Sequence, residues 1–161
     1  MPRRRPTEEE VEILRAILDF QFGEGAGEAL LPPGSDIEVE VTGKGRIRYV
    51  LHSGERILTL RPNDGLFSLS LEAAERLLHA FPPPRLRVVI RGDRDLTGSV
   101  LVGDVVDMDP DLRPGDEVIV VDRKDKILAV GRLRLPKAVL EGLDRGEVVR
   151  IRKRVKSSGG V

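Results

Sequence analysis

The residues best suited to bind a ligand are three arginines near the C-terminal end of the chain. Arg150, Arg152 and Arg154 occupy alternate positions in the last predicted β-strand. Because successive side chains of a strand point to opposite faces, strict alternation predicts all three on one face. Guanidinium groups repeated along one face suit a phosphate backbone. The alternative is a solvated strand face whose arginines pair with the acidic segment Asp104 to Asp125.

Other kinds of site chemistry find little support in the sequence. The chain has no cysteine, which excludes disulfides, thiolate metal sites and cysteine nucleophiles. Its two histidines, His52 in a predicted turn and His79 near a predicted helix C-terminus, have no ligand or triad partner suggested by the sequence. No spacing singles out an acid and a base among the 27 carboxylates. We therefore predict no catalytic residue, no metal site and no cofactor.

The charges are balanced in number but unevenly distributed. The 161 residues carry 27 basic and 27 acidic side chains, which argues against a nonspecific nucleic-acid coat protein. Residues 103–126 hold eight acids and four bases, whereas residues 150–156 hold five bases and no acid. Aromatic residues make up only 3% of the chain, so we expect binding through phosphates and backbone shape rather than base stacking.

Composition also predicts the environment of the protein. No apolar run approaches the roughly 18 residues that a membrane span needs, and we expect a cytoplasmic protein without membrane partners. Asparagine and glutamine occur once each, beside many charged residues, which predicts a thermophilic source.

The N-terminal half predicts a helix-and-meander domain. Thr7 and Glu10 have the spacing of a capping box, so a helix should begin there and end near Gly23. The preceding Arg3-Arg4-Arg5 is predicted to be a flexible terminus, and residues 23–34 a loop. Alternating apolar residues predict strands at 36–41, 46–51, 56–60 and 66–69, followed by a helix that Ser70 caps.

The C-terminal half predicts a small β-barrel. Pro82-Pro83-Pro84 cannot continue a helix and marks the predicted domain boundary. Only one helix, near Lys137 to Leu143, interrupts the strands that follow, so a closed or half-open barrel is the economical way to protect the strand edges. The predicted strands are 86–90, 105–106, 117–121, 127–135 and 147–155.

Three blocks of this half resemble the PUA domain, an RNA-binding pseudobarrel, in order and spacing: Asp109 to Val118, Leu128 to Arg132, and Gly146 to Arg152. Upstream blocks are similar to the domain that precedes the PUA module in archaeosine tRNA-guanine transglycosylase: Phe20 to Gly23, Gly45 to Arg48, Leu60 to Phe67, and Pro83 to Val89. The resemblance covers nearly the whole chain.

We therefore predict an α+β chain with a pre-PUA domain at residues 1–82 and a PUA pseudobarrel at 83–156. The Ser and Gly residues at 157–161 predict a flexible tail. The resemblance also implies an RNA groove between a glycine-bearing loop and the last strand. The loop here has no aromatic residue, unlike the transglycosylase pattern. The candidate RNA-binding residues are Gly98, Ser99, Val100, Leu101, Gly103, Arg132, Arg150, Arg152 and Arg154.

The transglycosylase's catalytic part is a TIM barrel, which needs about 250 residues and cannot be formed by this chain. We therefore expect no activity in this chain, but binding of RNA, tRNA in particular, as a non-catalytic subunit or accessory of a tRNA base-modifying enzyme. A separate catalytic transglycosylase subunit is then a candidate partner. The alternative is a protein-interaction adaptor in ribosome assembly or translation. A stand-alone enzyme on a small ligand would require a deep pocket with converging ionisable groups.

Overall fold

The structure is a computed structural model that describes residues 1–156, so the predicted tail at 157–161 lies outside the described residues. It divides into two compact units, the first from Met1 to Ala80 and the second beginning at Phe81. Mixed helices and strands in both units confirm the predicted α+β class.

The first unit is a five-stranded antiparallel sheet with three helices. The sheet order is β1-β2-β3-β4-β5, so neighbouring strands follow one another in sequence. The glutamine amide of Gln21, near the end of α1, both donates to the Phe67 carbonyl and accepts from the Phe67 amide of β5, at 2.8 and 2.7 Å. The elements are β1 (Arg3–Arg4), α1 (Glu8–Phe22), α2 (Ala26–Leu30), β2 (Ile37–Val41), β3 (Ile47–His52), β4 (Glu55–Leu60), β5 (Phe67–Leu69) and α3 (Leu71–Ala80).

The predicted helix starts in the first unit are confirmed. Thr7 accepts a hydrogen bond from the Glu10 amide at 3.1 Å, and the Glu10 carboxylate accepts one from the Thr7 amide at 2.9 Å, which completes the capping box. Ser70 caps α3 by accepting from the Ala73 amide at 3.0 Å.

Three local expectations for the first unit were wrong. The N-terminal arginines are not a free arm, because Arg3 and Arg4 form an edge strand opposite Glu40 and Val39. The predicted loop at 23–34 contains the short helix α2. His52 is the last residue of β3 rather than a turn residue.

The second unit is a curled six-stranded sheet of the PUA type, a half-barrel, as predicted. Its order is β7-β11-β10-β9-β6-β8, in which β6 and β9 are parallel and the other pairs are antiparallel. Branched aliphatic side chains, among them Val100, Val118 and Val149, fill its core. The elements are β6 (Arg87–Ile90), β7 (Ser99–Leu101), a 3₁₀ turn (Val102–Asp104), β8 (Val105–Met108), β9 (Glu117–Val121), β10 (Ile127–Leu133), α4 (Lys137–Leu140) and β11 (Glu147–Arg154).

Candidate nucleic-acid interface

The glycine-bearing segment and the last strand are direct neighbours in the sheet. β7 pairs with β11 in the register Val100 opposite Val149 and Ser99 opposite Arg150. Just beyond this register, the Ile151 amide donates to the Gly98 carbonyl at 2.9 Å. The two segments are joined by a ladder of backbone hydrogen bonds, so β7 and β11 leave no open cleft between their backbones. Any ligand would lie across the ladder, on its side chains.

The three strand arginines do not share one face, which corrects the expectation from strict alternation. In the strand register, Arg150 lies opposite Arg132 of β10, whose side chain is on the outer face. Arg154 lies opposite Ala129, whose side chain is on the core face. A register shift in β11 opposite Val130 and Gly131 inserts one extra residue, and a bulge of this kind moves the following side chains to the other face.

Gly131 lies where the two strands approach each other most closely. A Cβ atom at this position would lie 2.2 Å from the Arg150 carbonyl oxygen, a distance that no side chain tolerates. The bulge therefore needs a glycine at position 131, and the resulting register determines on which face each arginine of β11 lies.

The arginines of the predicted site already have partners within the protein. Arg152 makes a bidentate ion pair with Glu117, at 2.7 and 2.6 Å, and the Glu117 side chain is fully buried. Arg132 donates to the Gly115 carbonyl at 2.7 Å. Arg152 thus follows the alternative set out above, pairing with the acidic segment.

Arg150 belongs to a network on the outer face of the ladder. Its Nε lies 3.0 Å from the Glu147 carboxylate, which also accepts a short hydrogen bond from the Ser99 hydroxyl. The Ser99 and Arg150 hydrogen bonds hold the pKa of Glu147 below its usual range, so Glu147 stays ionised at neutral pH. Ser99 and Arg150 are therefore brought together, as predicted, but through an intervening carboxylate.

The glycine-bearing segment contributes unequally to the surface. Val100 is fully buried, so its side chain is unavailable to a ligand, whereas Leu101 is exposed. Gly98 and Gly103 have no positive φ, and nothing lies within 4 Å of where a Cβ atom would be at either position. Neither the backbone conformation nor the packing of the protein requires a glycine at these two positions.

An ion pair covers the open edge of β7. Arg94 donates from Nε to the Asp104 carboxylate at 2.7 Å and from Nη2 to the Ser99 carbonyl at 3.2 Å. Asp104 in turn accepts from the Leu101 amide at 2.8 Å. The hydrogen bond from Arg94 is the main cause that lowers the pKa of Asp104. The outward carbonyl of Ser99 and amide of Leu101 are therefore both satisfied.

A pocket of about 240 Å³ opens beside this edge, where the loop before β7 meets the start of β10 and the end of β11. We call it the basic pocket, because four cationic side chains and one carboxylate line it: Arg94, Lys126, Arg154, Lys156 and Asp95. Arg154 also donates to the Leu96 carbonyl at 2.8 Å, which holds its guanidinium at the pocket wall.

Among these cations, only Arg154 is predicted from the sequence. Arg94, Lys126 and Lys156 are separated by about thirty residues along the chain and come together only through the register of β10 and β11. Antiparallel pairing of the last two predicted strands could have indicated this cluster, because it places the start of β10 beside the end of β11. Arg152 and Arg154 lie at that end of the sheet, but only Arg154 lines the pocket.

Residues 1–156 contain no group of three or more His, Cys, Asp or Glu side chains arranged to hold a metal ion. Within the same residues, no helix has the length and apolar character needed to cross a membrane.

Comparison with known proteins identifies both units. Residues 95–155 match the family model of the PUA domain. The second unit is therefore a PUA domain. Residues 12–84 match the family model described as the patch-forming domain C2 of tRNA-guanine transglycosylase. The chain thus combines a C2 domain with a PUA domain, as the C-terminal part of that enzyme family does, and its 161 residues do not include the catalytic barrel.

Curated relatives support this assignment along nearly the whole chain. The tRNA-guanine(15) transglycosylase of Thermococcus kodakarensis is 39% identical over 146 residues, which cover 88% of this chain and 24% of the relative. The enzyme of the same name from Pyrococcus furiosus is 36% identical over 157 residues, covering 94% and 26%. The chain spans about a quarter of the length of these relatives.

Solved structures share the fold over almost the full length. A hypothetical protein from the hyperthermophilic archaeon Pyrococcus horikoshii superposes with a TM-score of 0.69 at 21% identity, covering 98% of this chain and 96% of that one. A conserved PUA domain protein from Thermoplasma acidophilum superposes with a TM-score of 0.65 at 17% identity, covering 98% and 96%. At these identities the likeness shows the fold alone.

Proposed function

We propose that this protein binds folded RNA, tRNA in particular, through its PUA domain, and serves as a non-catalytic component of a tRNA base-modifying system. The observation that carries the proposal is the basic pocket, which presents four cations and one carboxylate on the PUA domain. Its cationic side chains suit phosphate groups, and phosphate contacts supply most of the affinity in sequence-independent binding. The names of the curated relatives support tRNA as the RNA.

The binding surface that we propose runs from the basic pocket along the β7 edge. Gly98 and Gly103 allow a nucleic-acid backbone to approach the main chain, Ser99 offers a hydroxyl, and Leu101 offers an exposed apolar contact. Arg150 adds a cation on the outer face of the ladder. In this proposal Val100 contributes only its backbone, and Arg132 and Arg152 serve mainly to link β10 and β11 to the start of β9.

Titration of folded tRNA and of a plain RNA duplex with the purified chain, at several salt concentrations, tests the proposal. We expect the chain to prefer tRNA, and log affinity to fall linearly with log salt. The double variant Lys126→Glu/Lys156→Glu should lower affinity at least about tenfold. It should also flatten the salt slope by about one unit for each phosphate that the variant no longer neutralises.

The matched control is Lys44→Glu/Arg113→Glu, which makes the same change of charge at exposed positions outside the basic pocket. It should bind tRNA nearly as the unaltered chain does. Equal loss of tRNA affinity in both double variants would show that the loss comes from the change in net charge, and would remove the basic pocket from the proposed site. Absence of tRNA binding even at low salt would overturn the proposal itself.

The role as an accessory needs a separate measurement, because the chain contains no catalytic barrel. Co-expression with a separate transglycosylase catalytic subunit, the partner that the proposal requires, followed by a guanine-exchange assay on tRNA, measures it directly. We expect the chain to lower the tRNA concentration needed for half-maximal exchange. If this tRNA concentration does not change although the chain binds tRNA, the chain is an RNA-binding protein but not an accessory of the transglycosylase.

A further inference from the structure

An exposed apolar stripe runs along helix α1 of the first unit. Ile13, Ile17 and Phe20 lie at positions i, i+4 and i+7, so they share one face of the helix. Phe20 is 84% exposed and Ile13 is 53% exposed, while Ile17 is half-buried. Large apolar side chains in a continuous exposed row mark an interaction surface more often than isolated ones do.

The stripe leads into a groove between α1 and the sheet, with a volume of about 460 Å³. One wall is α1, and the other is formed by the start of β3 and the end of β4, which are adjacent because these strands pair antiparallel. Five of the lining side chains are large and aliphatic: Ile13, Leu14, Ile17, Ile47 and Leu60. We call this the α1 groove.

Three arginines give the α1 groove a positive rim: Arg46, Arg48 and Arg61. The only carboxylate in its lining, Glu10, is already bound by Arg4 through two hydrogen bonds of 2.7 Å. Arg61 is itself ion-paired with Asp64, so the groove combines an apolar floor with the positive charge of Arg46 and Arg48.

One donor in this groove has no acceptor. The Nη1 atom of Arg61 is buried and makes no hydrogen bond, and no other buried side-chain nitrogen or oxygen of the described residues shares this condition. The same guanidinium contacts Asp64 through Nε and Nη2, at 3.2 and 3.0 Å, so its orientation is fixed. A buried donor left unsatisfied is destabilising, and an acceptor supplied by a ligand would offset that cost.

We propose that the α1 groove binds a segment of a partner protein that is both acidic and apolar. An apolar side chain of that segment lies between Ile13 and Ile17, and a carboxylate or carbonyl oxygen accepts from Arg61 Nη1. The charge complementarity with the arginine rim selects an acidic segment, and the aliphatic floor selects a protein, because nucleic acid binds through phosphates and stacked bases. This surface is separate from the basic pocket and does not depend on the proposed RNA binding.

A display library of random 16-residue peptides, selected against the full chain, provides the probe. We expect the enriched peptides to combine leucine-like residues at helical spacing with Asp or Glu. Synthetic copies should shift the backbone amide signals of Ile13, Ile17 and Arg61 in NMR spectra. In fluorescence anisotropy, Ile13→Ser and Arg46→Glu should each weaken peptide binding at least tenfold, because the first removes an apolar contact and the second reverses a charge of the rim. Both positions are exposed, so the fold should tolerate either change.

Two controls make the result specific to the α1 groove. Val139→Ser removes another exposed apolar side chain, and Arg123→Glu makes the same charge reversal, both in the second unit, so neither should change peptide affinity. Enrichment of basic peptides, binding that maps outside the groove, or no enrichment would overturn the proposal. Shifts of the same amides by an RNA stem-loop would also overturn it by assigning the groove to RNA.

Discussion

At the scale of single residues, the ion pair between Arg152 and Glu117 changes how the strand arginines are interpreted. The Glu117 carboxylate is fully buried and receives two hydrogen bonds from Arg152. A buried carboxylate that loses its bidentate partner keeps the cost of desolvation without the compensating attraction. Arg152 therefore stabilises the fold first, and substitutions at this position cannot measure RNA binding alone.

Replacing Arg152 with alanine should destabilise the protein by about 2 kcal/mol, less than for a fully buried pair because the arginine is partly exposed. Urea or thermal unfolding followed by circular dichroism measures this. Lys153→Ala, at the next exposed position, should be nearly neutral. The double variant Arg152→Leu/Glu117→Leu should regain most of the stability, because no buried charge remains. A single variant as stable as the unaltered chain would contradict the structural role.

Gly98 and Gly103 support the opposite prediction, a change in binding without a change in stability. Because a Cβ atom fits at both positions, Gly98→Ala/Gly103→Ala should alter the free energy of unfolding by no more than about 0.5 kcal/mol. If tRNA approaches the backbone there, its affinity should fall about tenfold. Gly43→Ala, at another open position without a positive φ, is the matched control. Unchanged affinity in the double variant would remove the segment from the interface.

At the scale of secondary structure, one carboxylate links the N-terminal edge strand of the first sheet to helix α1. Glu10 completes the capping box of α1 and also binds the guanidinium of Arg4, which lies in β1. The Arg4 hydrogen bonds, followed by that of the Thr7 amide, lower the pKa of Glu10 from 4.5 to about 2. One side chain thus stabilises the start of a helix and an edge strand together.

This lowered pKa predicts the pH dependence of the contribution. Because the folded-state pKa lies below the unfolded one, the stabilisation is fully present above about pH 4.5 and is lost as pH falls through about 2. Glu10→Gln should cost about 0.5 kcal/mol at pH 6, in the range of exposed ion pairs, and less at pH 2. Thermal unfolding at both pH values measures the difference. A cost that is the same at pH 2 and pH 6 would refute the assignment.

The sequence predicted most elements of the fold because their signals are local. Capping residues, alternating strands and the proline triplet each act over a few neighbours, and the helices α1 and α3 begin where their caps predict. Strand register is set by long-range pairing, so the bulge opposite Gly131 and the resulting face of Arg154 could not be read from alternation. The basic pocket was missed for the same reason.

The edge strand β1 was missed for a different reason. Two residues carry too little periodicity to indicate a strand, and a run of three arginines is typical of a solvated terminus. Its formation depends on the exposed edge of β2, which only the folded sheet provides. The resemblance to a known family supplied the fold of the second unit, but it could not supply the side-chain partners of Arg132 and Arg152.

At the scale of the whole molecule, balanced charge and uneven distribution have separate consequences. The chain carries no net charge at pH 7, so long-range repulsion between copies is weak there. The cations of the basic pocket and the α1 groove nevertheless form local positive regions on each unit. Specific contacts with anions therefore arise from local arrangement and not from the total charge.

The zero net charge predicts a solubility minimum near neutral pH. Solubility in a low-salt buffer should be lowest near pH 7 and rise by pH 9, where the protein becomes net negative. Precipitation by polyethylene glycol, measured from pH 5 to pH 9, tests this. A steady increase of solubility from pH 9 to pH 5 would contradict the prediction.

The ion pair between Arg94 and Asp104 has a further consequence for the behaviour of the protein at high concentration. β7 is the last strand on its side of the sheet, and an uncovered strand edge is a template on which another chain can add a strand. Arg94 and Asp104 occupy the outward Ser99 carbonyl and Leu101 amide that such an addition would use. Arg94, which also lines the basic pocket, thereby acts with Asp104 to protect the protein against edge-to-edge aggregation.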